Sequence, residues 1–264
     1  MKELNSDELK LLQLKVLDAI HEYCTENNII YSLACGTLLG AARHKGYIPW
    51  DDDIDIYMYR DDYNRLVDSF PEVYKNRYKI VSLERDRNWD RTSAKAYDVL
   101  TDLQEPGSTY PLGVNIDIFP IDDVPDDEAE WLSFDRLRRR MCNLLSFRRY
   151  AKVSPHRAFY KDLVIRALKC FTNCRQLSRM LDRYVQRYNH KGYKRCFESC
   201  TAIITVNPFP KKLFNDLVLL PFEDREYYAF ADYDTYLTSA YGNWQQLPPK
   251  EKRVSHHTFK AYWK

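Results

Sequence analysis

Hydrophobic and polar positions alternate with two different periods along this chain. Over residues 6–27, Leu9, Leu12, Val16, Ile20 and Tyr23 recur every three or four residues, which predicts an amphipathic helix. Ser6 is placed to cap it, Asp7 and Glu8 sit in the first turn where negative charge suits the helix dipole, and Asn27-Asn28 ends it. The run IIYSLA (29–34) predicts a strand, followed by Cys35-Gly36-Thr37 and a short helix, LLGAARH. Residues 53–59 (DIDIYMY) alternate acid and apolar, the period of a strand, which sets Asp53 and Asp55 on one side and turns Ile54 and Ile56 to the core. A helix over 61–70 follows, then strands over 78–83, 92–99 and 113–119. The last of these carries Asp117 between Ile116 and Ile118 and is stopped by Pro120. From 126 to about 189 the pattern is helical and basic; TAIITV (201–206) reads as a strand, and residues 232–241 form a last helix ended by Gly242. This predicts an α/β (α+β) chain in one domain: a core at 1–125, a basic helical insert at 126–200, and a C-terminal segment at 201–264.

Composition narrows the class. With 45% apolar and 14% aromatic residues, a disordered tail, a collagen-like repeat and a disulfide-stapled mini-protein are excluded. No apolar run is long enough to predict a membrane-spanning helix. The charged N-terminus lacks an apolar signal core and the seven cysteines follow no framework spacing, so reduced thiols and a cytoplasmic location are expected. The formal net charge of +2 hides an asymmetry: between Arg136 and Arg195, 18 Lys or Arg residues meet only Asp162 and Asp182, so this stretch carries +16 and the rest −14. The insert is either a solvated helical face or a surface that docks on anionic lipid. MCNLLSF lies between RLRRR and RR, the 159–171 stretch is amphipathic, and each cation near such a surface gains about 1 kcal/mol. No nucleic-acid-binding module accompanies the charge, so a nucleic-acid partner is not expected.

Candidate chemistry concentrates in GTLLGAARHKGYIPWDDDIDIY (36–57). Gly36 permits close backbone approach, and Thr37 opens a helix whose free N–H groups suit a phosphate. Arg43 and Lys45 bring positive charge for phosphates, and His44 is either a proton donor or structural. Two carboxylates on one strand face repel unless a cation sits between them, and oxygen-only ligation suits Mg²⁺ or Mn²⁺. A run of acids is ordinarily a solvated turn, but this one leads into a strand that buries one face, a poor arrangement without a cation. Asp53 and Asp55 are therefore candidate metal ligands, with Asp117 completing the site from a neighbouring strand. Asp51 and Asp52 are either close to metal or substrate or merely the turn. Lys95, on a strand beside the metal strand, either neutralises a phosphate or is solvated. Arg253 and His256, in the tail LPPKEKRVSHH, are candidates for substrate or donor contact. The pairs Cys170/Cys174 and Cys196/Cys200 have loose zinc spacing but also the spacing of a helical turn. Most of the 21 tyrosines belong to core or rim; one could stack on cytosine or clasp a quaternary ammonium.

The string GTLLGAARHKGYIPWDDDIDI resembles the signature of the LicD family of phosphotransferases, and the similarity continues in AKAYDVLTD (94–102), VNIDIFPIDDVP (114–125), LPFED (220–224) and residues 232–257. Several long matches in order are more specific than a lone glycine motif. The family includes phosphocholine transferases of bacterial surface glycans such as lipopolysaccharide, teichoic acids and capsule, and is related to fukutin and fukutin-related protein. The resemblance implies a nucleotidyltransferase-like fold, a small mixed sheet flanked by helices. It implies divalent metal on Asp53, Asp55 and Asp117, donor phosphates at Gly36 and Thr37, and a C-terminal tail folded back on the site with Arg253 and His256. Members carry glycine or a small residue at the position of Cys35, and the zinc-binding cysteine loop of fukutin-related protein has no recognisable counterpart. The implied reaction moves phosphocholine from a CDP-linked donor to a hydroxyl of a glycan or its lipid-linked precursor at the inner face of the membrane, with Asp117 as base or as orienting ligand. Other donors (a CMP-linked aminoethylphosphonate or a CDP-polyol), nucleotidyl transfer, and a non-catalytic membrane-docking role remain as alternatives.

Overall fold

The computed structural model describes residues 2–104, 110–150, 170, 172–201, 207–253 and 259–264. Helix α1 (Ser6–Glu26) forms over the expected stretch, but Asn5 rather than Ser6 caps it. The Asn5 side chain accepts from the Glu8 amide at 2.8 Å, while the Glu8 carboxylate accepts from the Asn5 amide at 3.0 Å, a reciprocal capping box. The apolar run at 29–34 contributes only the two-residue strand β1 (Ser32–Leu33), after which come α2 (Cys35–His44), β2 (Asp55–Tyr59) and α3 (Arg60–Ser69). Three further strands, β3 (Tyr78–Val81), β4 (Ala94–Asp98) and β6 (Asn115–Val124), complete a mixed sheet in the order β1-β2-β6-β4-β3, while β5 (Thr101–Gln104) lies outside it. Only β2 and β6 run parallel; the other pairings are antiparallel.

The strand carrying Asp117 corrects the expectation that Pro120 ends it: β6 continues to Val124, with Pro120 opposite Met58 of β2. The amide of Asp117 bonds to Ile54 O at 2.8 Å, so odd-numbered amides of β6 face β2 and the nitrogen of Pro120 faces the opposite side. On that side β4 pairs only as far as Ile118, and β7 (Arg195–Glu198) takes over from Ile121. Pro120 therefore occupies the gap between two neighbours, where no ladder donor is required.

Ile54, Ile56 and Met58 share a strand face with Ile116 and Ile118, and all are buried. Helices α1 and α3 pack against β2, β4 and β6. On the other face Tyr57 is buried among Cys35, Phe209 and Tyr236. Asp55 and Asp117 lie half-buried at one end of this second face.

The basic stretch supplies α4 (Glu128–Tyr150) and α5 (Cys174–Val185), and β7 then joins the main sheet and pairs with β8 (Phe209–Pro210). The amphipathic segment at 159–171, apart from Cys170, and the expected strand at 201–206, apart from Thr201, lie outside the described residues. Many of the cations are not a solvated face. Arg138 is fully buried, bonded to Asp135 and the carbonyls of Ser199 and Thr201. Arg175 donates to the carbonyls of Leu83, Trp89 and Asp86, and Arg149 to Asp90. The cysteine pairs do not form a metal site: among the described residues no three His, Cys, Asp or Glu side chains are gathered to hold one. Among them, too, no helix is long and apolar enough to cross a membrane.

The C-terminal part contributes an unforeseen hairpin, β9 (Leu217–Phe222) with β10 (Arg225–Phe230), then α6 (Tyr233–Tyr241), closed by Gly242 at φ 66°, and β11 (Lys260–Trp263) paired with β5. The hairpin was hidden because LVLLPF is a continuous apolar run without alternation, and its turn rests on Glu223, which adopts φ 58°.

One buried ion network ties insert to body. Arg60, at the start of α3, donates to both oxygens of Asp122 on β6 at 2.8 and 2.6 Å and to Asp182 on α5 at 3.0 Å. Asn189 adds a bond to Asp122 at 2.7 Å. Both Arg60 and Asp122 are buried, so removing one partner strands a charge in the interior, at a cost of about 3–5 kcal/mol. Arg60→Ala is expected to lower the urea midpoint of unfolding by that equivalent, and a paired Arg60→Met/Asp122→Leu variant to lose less, measured by circular dichroism at neutral pH.

Candidate active site

Three strands present three charged residues side by side. In the register of the sheet Asp55 on β2 lies beside Asp117 on β6, and Asp117 beside Lys95 on β4. The Lys95 ammonium donates to Asp117 Oδ2 at 2.6 Å and to Asn115 Oδ1 at 2.9 Å. Lys95 is thus committed to a carboxylate, and Asn115, one strand step away, completes its contacts. Burial pushes the Asp55 carboxyl well above the usual carboxylate range, the charges of Asp53, Asp117 and Asp51 push it further, and Lys95 pulls the other way. The sheet therefore holds several carboxylates within electrostatic reach of one another with one lysine between strands.

The residues before β2 are held in place from the helices. The carbonyl of Asp52 accepts from Gln13 of α1 at 2.8 Å, and Gln13 in turn accepts from the Tyr47 hydroxyl at 3.1 Å. Asp51 closes a turn through its amide to Ile48 O at 2.8 Å, and its carboxylate lies against the α carbon of Gly36, where an added Cβ would come within 2.5 Å of Oδ2. A side chain at Gly36 would force the Asp51 carboxylate to move.

Thr37 is buried, and its hydroxyl accepts the amide of Asp55 at 2.9 Å. It ties the first turn of α2 to the acidic strand. The amides of Cys35, Gly36 and Thr37 precede the first helical bond of α2, which runs from Leu38 to Ala34 O; the N-cap residue Ala34 makes no side-chain cap bond, and the Cys35 amide is directed to the Tyr236 hydroxyl. The turn beside Asp55 thus offers backbone donors next to carboxylates.

Of the other basic candidates, Arg43 lines the cleft that opens beside Gly36, and Lys45 lies away from it. Arg43 donates to the carbonyls of Trp244 at 2.6 Å and Gln246 at 3.4 Å and to the imidazole of His44 at 3.0 Å. It thereby anchors the loop after α6. Burial and the Arg43 charge hold His44 below its ordinary pKa, as befits an acceptor rather than a proton donor. Lys45 is exposed at the far end of α2, in a left-handed conformation at φ 62°, with its ammonium 3.3 Å from Ala42 O. That is about 12 Å of helix away from Thr37. Arg253 donates to Pro248 O at 2.9 Å and places its guanidinium 5.5 Å from the centre of the Trp50 ring, so this part of the tail does reach the DDD segment. His256 lies outside the described residues.

Beside Gly36 opens a cleft of about 550 Å³, lined by Asp51, Trp50, Arg43, Tyr241 and Trp244 and bordered by Leu247-Pro248-Pro249. Tyr241 is one of the tyrosines from which the sequence expected a single contact to cytosine or a quaternary ammonium without picking which. The available signal was that Trp50 immediately precedes the acid run and that Tyr241 and Trp244 bracket the glycine that ends α6.

Residues 28–145 match the family model described as "LicD/FKTN/FKRP, nucleotidyltransferase domain". Along 99% of both chains the protein is 31% identical to the lipopolysaccharide cholinephosphotransferase LicD of Haemophilus influenzae. The chain belongs to the LicD family. It is accordingly an enzyme of the transferase class. Uncharacterized proteins of Rickettsia prowazekii and Rickettsia typhi are 45% and 40% identical over 80 and 81 residues, 30% of this chain, and 29% and 26% of their own lengths. The family model spans α2, β2, β4, β6 and most of α4, and so includes every strand that carries a site residue.

Replacing the Thr37 hydroxyl tests its structural tie. Thr37→Val leaves the buried Asp55 amide without an acceptor and is expected to destabilise by about 1–3 kcal/mol, whereas Thr37→Ser keeps the bond and most of the stability. Equal stability of the valine and serine variants in urea unfolding would contradict the tie.

Proposed function

We propose that this LicD-family enzyme is a metal-dependent phosphotransferase that moves phosphocholine from a CDP-linked donor to a hydroxyl of a cell-surface glycan or its lipid-linked precursor, on a nucleotidyltransferase-like sheet. The observation that carries the reading is the register that sets Asp55 beside Asp117 next to the first turn of α2. The name of the Haemophilus relative supports phosphocholine as the group and lipopolysaccharide as one acceptor class.

The residues fit a Mg²⁺ or Mn²⁺ ion. The donors are carboxylate oxygens, and their mutual repulsion in a partly enclosed site favours a cation. Among the described residues no three His, Cys, Asp or Glu side chains are gathered for a metal, so the expected set of Asp53, Asp55 and Asp117 is not preformed, and the reading rests on the Asp55–Asp117 pair, since Mg²⁺ is commonly held by one or two carboxylates together with substrate phosphates and water. Asp55 and Asp117 would hold it, with Asp53 adjoining. When bound, the ion supplies Lewis-acid neutralisation of phosphate charge. The protein's own part is positional. The amides of Gly36 and Thr37 would bind a donor phosphate, as a helix N-terminus does. Asp117 would receive or orient the acceptor hydroxyl, and Lys95 would hold the Asp117 carboxylate in position. The transferred phosphorus would lose its bond to the cytidine monophosphate oxygen and gain one to the acceptor oxygen, with the hydroxyl proton passing to the base.

A screen of CDP- and CMP-linked donors in Mg²⁺, read by product mass, tests the donor. Asp55→Asn is expected to abolish turnover while far-UV circular dichroism stays unchanged, and chelation should stop the wild type until Mg²⁺ is restored. Retained turnover in the asparagine variant would overturn the metal assignment.

The insert supports a peripheral position on anionic membrane. On α4, Leu137, Leu144 and Phe147 are exposed together with Arg136 and Arg140, and on α5 Met180 is exposed with Arg179 and Arg183. Apolar side chains interspersed with cations suit an interface of anionic headgroups, where a lipid-linked acceptor would reside. The protein is expected to sediment with vesicles containing phosphatidylglycerol, not with neutral ones, and to be released at about 1 M salt, where the Debye length is about 3 Å. No sedimentation with the anionic vesicles would remove this part of the reading.

A further inference from the structure

The cleft beside Gly36 is larger than a phosphate requires, and its lining has an unusual chemistry. Trp50, Tyr241 and Trp244 contribute aromatic surface, and Leu247, Pro248 and Pro249 contribute apolar border. Tyr241 and Leu247 each keep a large exposed surface, while the phenol end of Tyr241 is buried. The carboxylate of Asp51 joins the same wall, against Gly36. Burial pushes the Tyr241 phenol well above its ordinary pKa, and the nearby Cys35, Asp55, Asp51 and Asp53 add to the effect. On another part of the lining Arg43 is fixed by the carbonyls of Trp244 and Gln246, and Arg253 stands over Trp50. The cleft therefore combines cationic groups, aromatic faces and a negative field within one opening next to the backbone donors of α2.

We infer that this cleft receives the quaternary ammonium end of the donor, with Tyr241 as the principal aromatic contact and Asp51 as the negative charge. This rests on the phosphocholine reading above and names the part of the site that would read the transferred group. A trimethylammonium has no N–H to donate. It is recognised through its methyl groups lying on an aromatic face beside a negative charge, which Tyr241 and Asp51 supply on the side of the cleft away from the carbonyl-bound Arg43. A primary ammonium needs hydrogen-bond acceptors arranged around it and gains less from such a wall. Tyr241 would therefore set selectivity for a trimethylated head over an unmethylated one. The ring rather than the hydroxyl makes the contact.

The test measures binding of CDP-choline, CDP-ethanolamine and CDP to the full chain by calorimetry in Mg²⁺ buffer, with Tyr241→Ala and Tyr241→Phe. Tyr241 is exposed on the last turn of α6, so both variants should fold, checked by their unfolding midpoints. The wild type is expected to prefer CDP-choline, and Tyr241→Ala to weaken CDP-choline by about 5- to 30-fold, the range of one partly desolvated cation–π contact, with CDP unchanged within about twofold. Tyr241→Phe should keep the preference. A parallel loss for CDP and CDP-choline places the nucleoside in the cleft and overturns the inference, as does an alanine variant that binds all three ligands like the wild type. A wild type that binds CDP but shows no added affinity for CDP-choline overturns the donor reading itself, a result distinct from an unaffected variant of a choline-selective wild type.

Discussion

The parallel pairing of β2 with β6 is the constraint on which the rest depends. It runs from Asp55↔Asp117 to Tyr59↔Ile121 and buries an isoleucine-rich face under helices. A slip of one residue would turn Ile54, Ile56, Ile116 and Ile118 toward the opposite face, so the hydrophobic effect fixes the register. That register leaves the two carboxylates no freedom to separate. Their repulsion is offset on one side by Lys95, which reaches Asp117 but not Asp55 among its hydrogen bonds. The folding of the core thus creates an electrostatic demand that a cation can answer.

The same strand organises the insert. Beyond Asp117, β6 carries Asp122 and Asp123, buried carboxylates that take Arg60, Lys211 and the Tyr59 hydroxyl. Through Arg60 the network reaches Asp182 of α5, and through β7 the sheet itself reaches the end of the basic stretch. Acidic residues on β6 therefore do two jobs: those at the open end remain near solvent, and those at the buried end are neutralised by arginine and lysine. The near-neutral total charge is in part the result of this pairing across the boundary of body and insert, with the unpaired basic excess turned outward on α4 and α5.

The alternation DIDIYMY made β2 legible from residues alone, because a period of two with acids on one face has few other solutions. Asp117 was legible for the same reason. What could not be read was which atoms each neighbour would engage. Thr37 sits where a phosphate contact is expected, but its hydroxyl is turned inward to the Asp55 amide; only the tertiary approach of α2 to β2 decides that. Lys45 is close to Thr37 in sequence and far from it along the helix axis, whereas Arg43 lines the cleft beside Gly36 but is engaged by the carbonyls of Trp244 and Gln246. Pro120 was read as a stop because a lone strand offers no clue that its partner changes at that residue. Asp51, Trp50 and Tyr241 come together from segments almost 200 residues apart, a distance at which no local pattern survives.

Cys35 connects these two halves of the site. It adopts φ 48°, a left-handed conformation that costs a non-glycine residue on the order of 1 kcal/mol, at a position where the resembled family carries glycine or another small residue. The strain persists because the side chain is held: its sulfur lies 3.2 Å from the Tyr57 hydroxyl, which is 3.3 Å from that of Tyr236. Tyr57 belongs to the acidic strand, Cys35 to the first turn of α2, and Tyr236 to the helix whose last residue is Tyr241. One buried chain of contacts thus fixes the carboxylates, the backbone donors and the aromatic wall relative to one another. A substitution here would act on the spacing between phosphate-facing and ammonium-facing surfaces without removing a group from either. The cysteine is best understood as part of that spacing, with its thiol pushed far above the reactive range by burial and by the charge of Asp55, and so unsuited to nucleophilic chemistry.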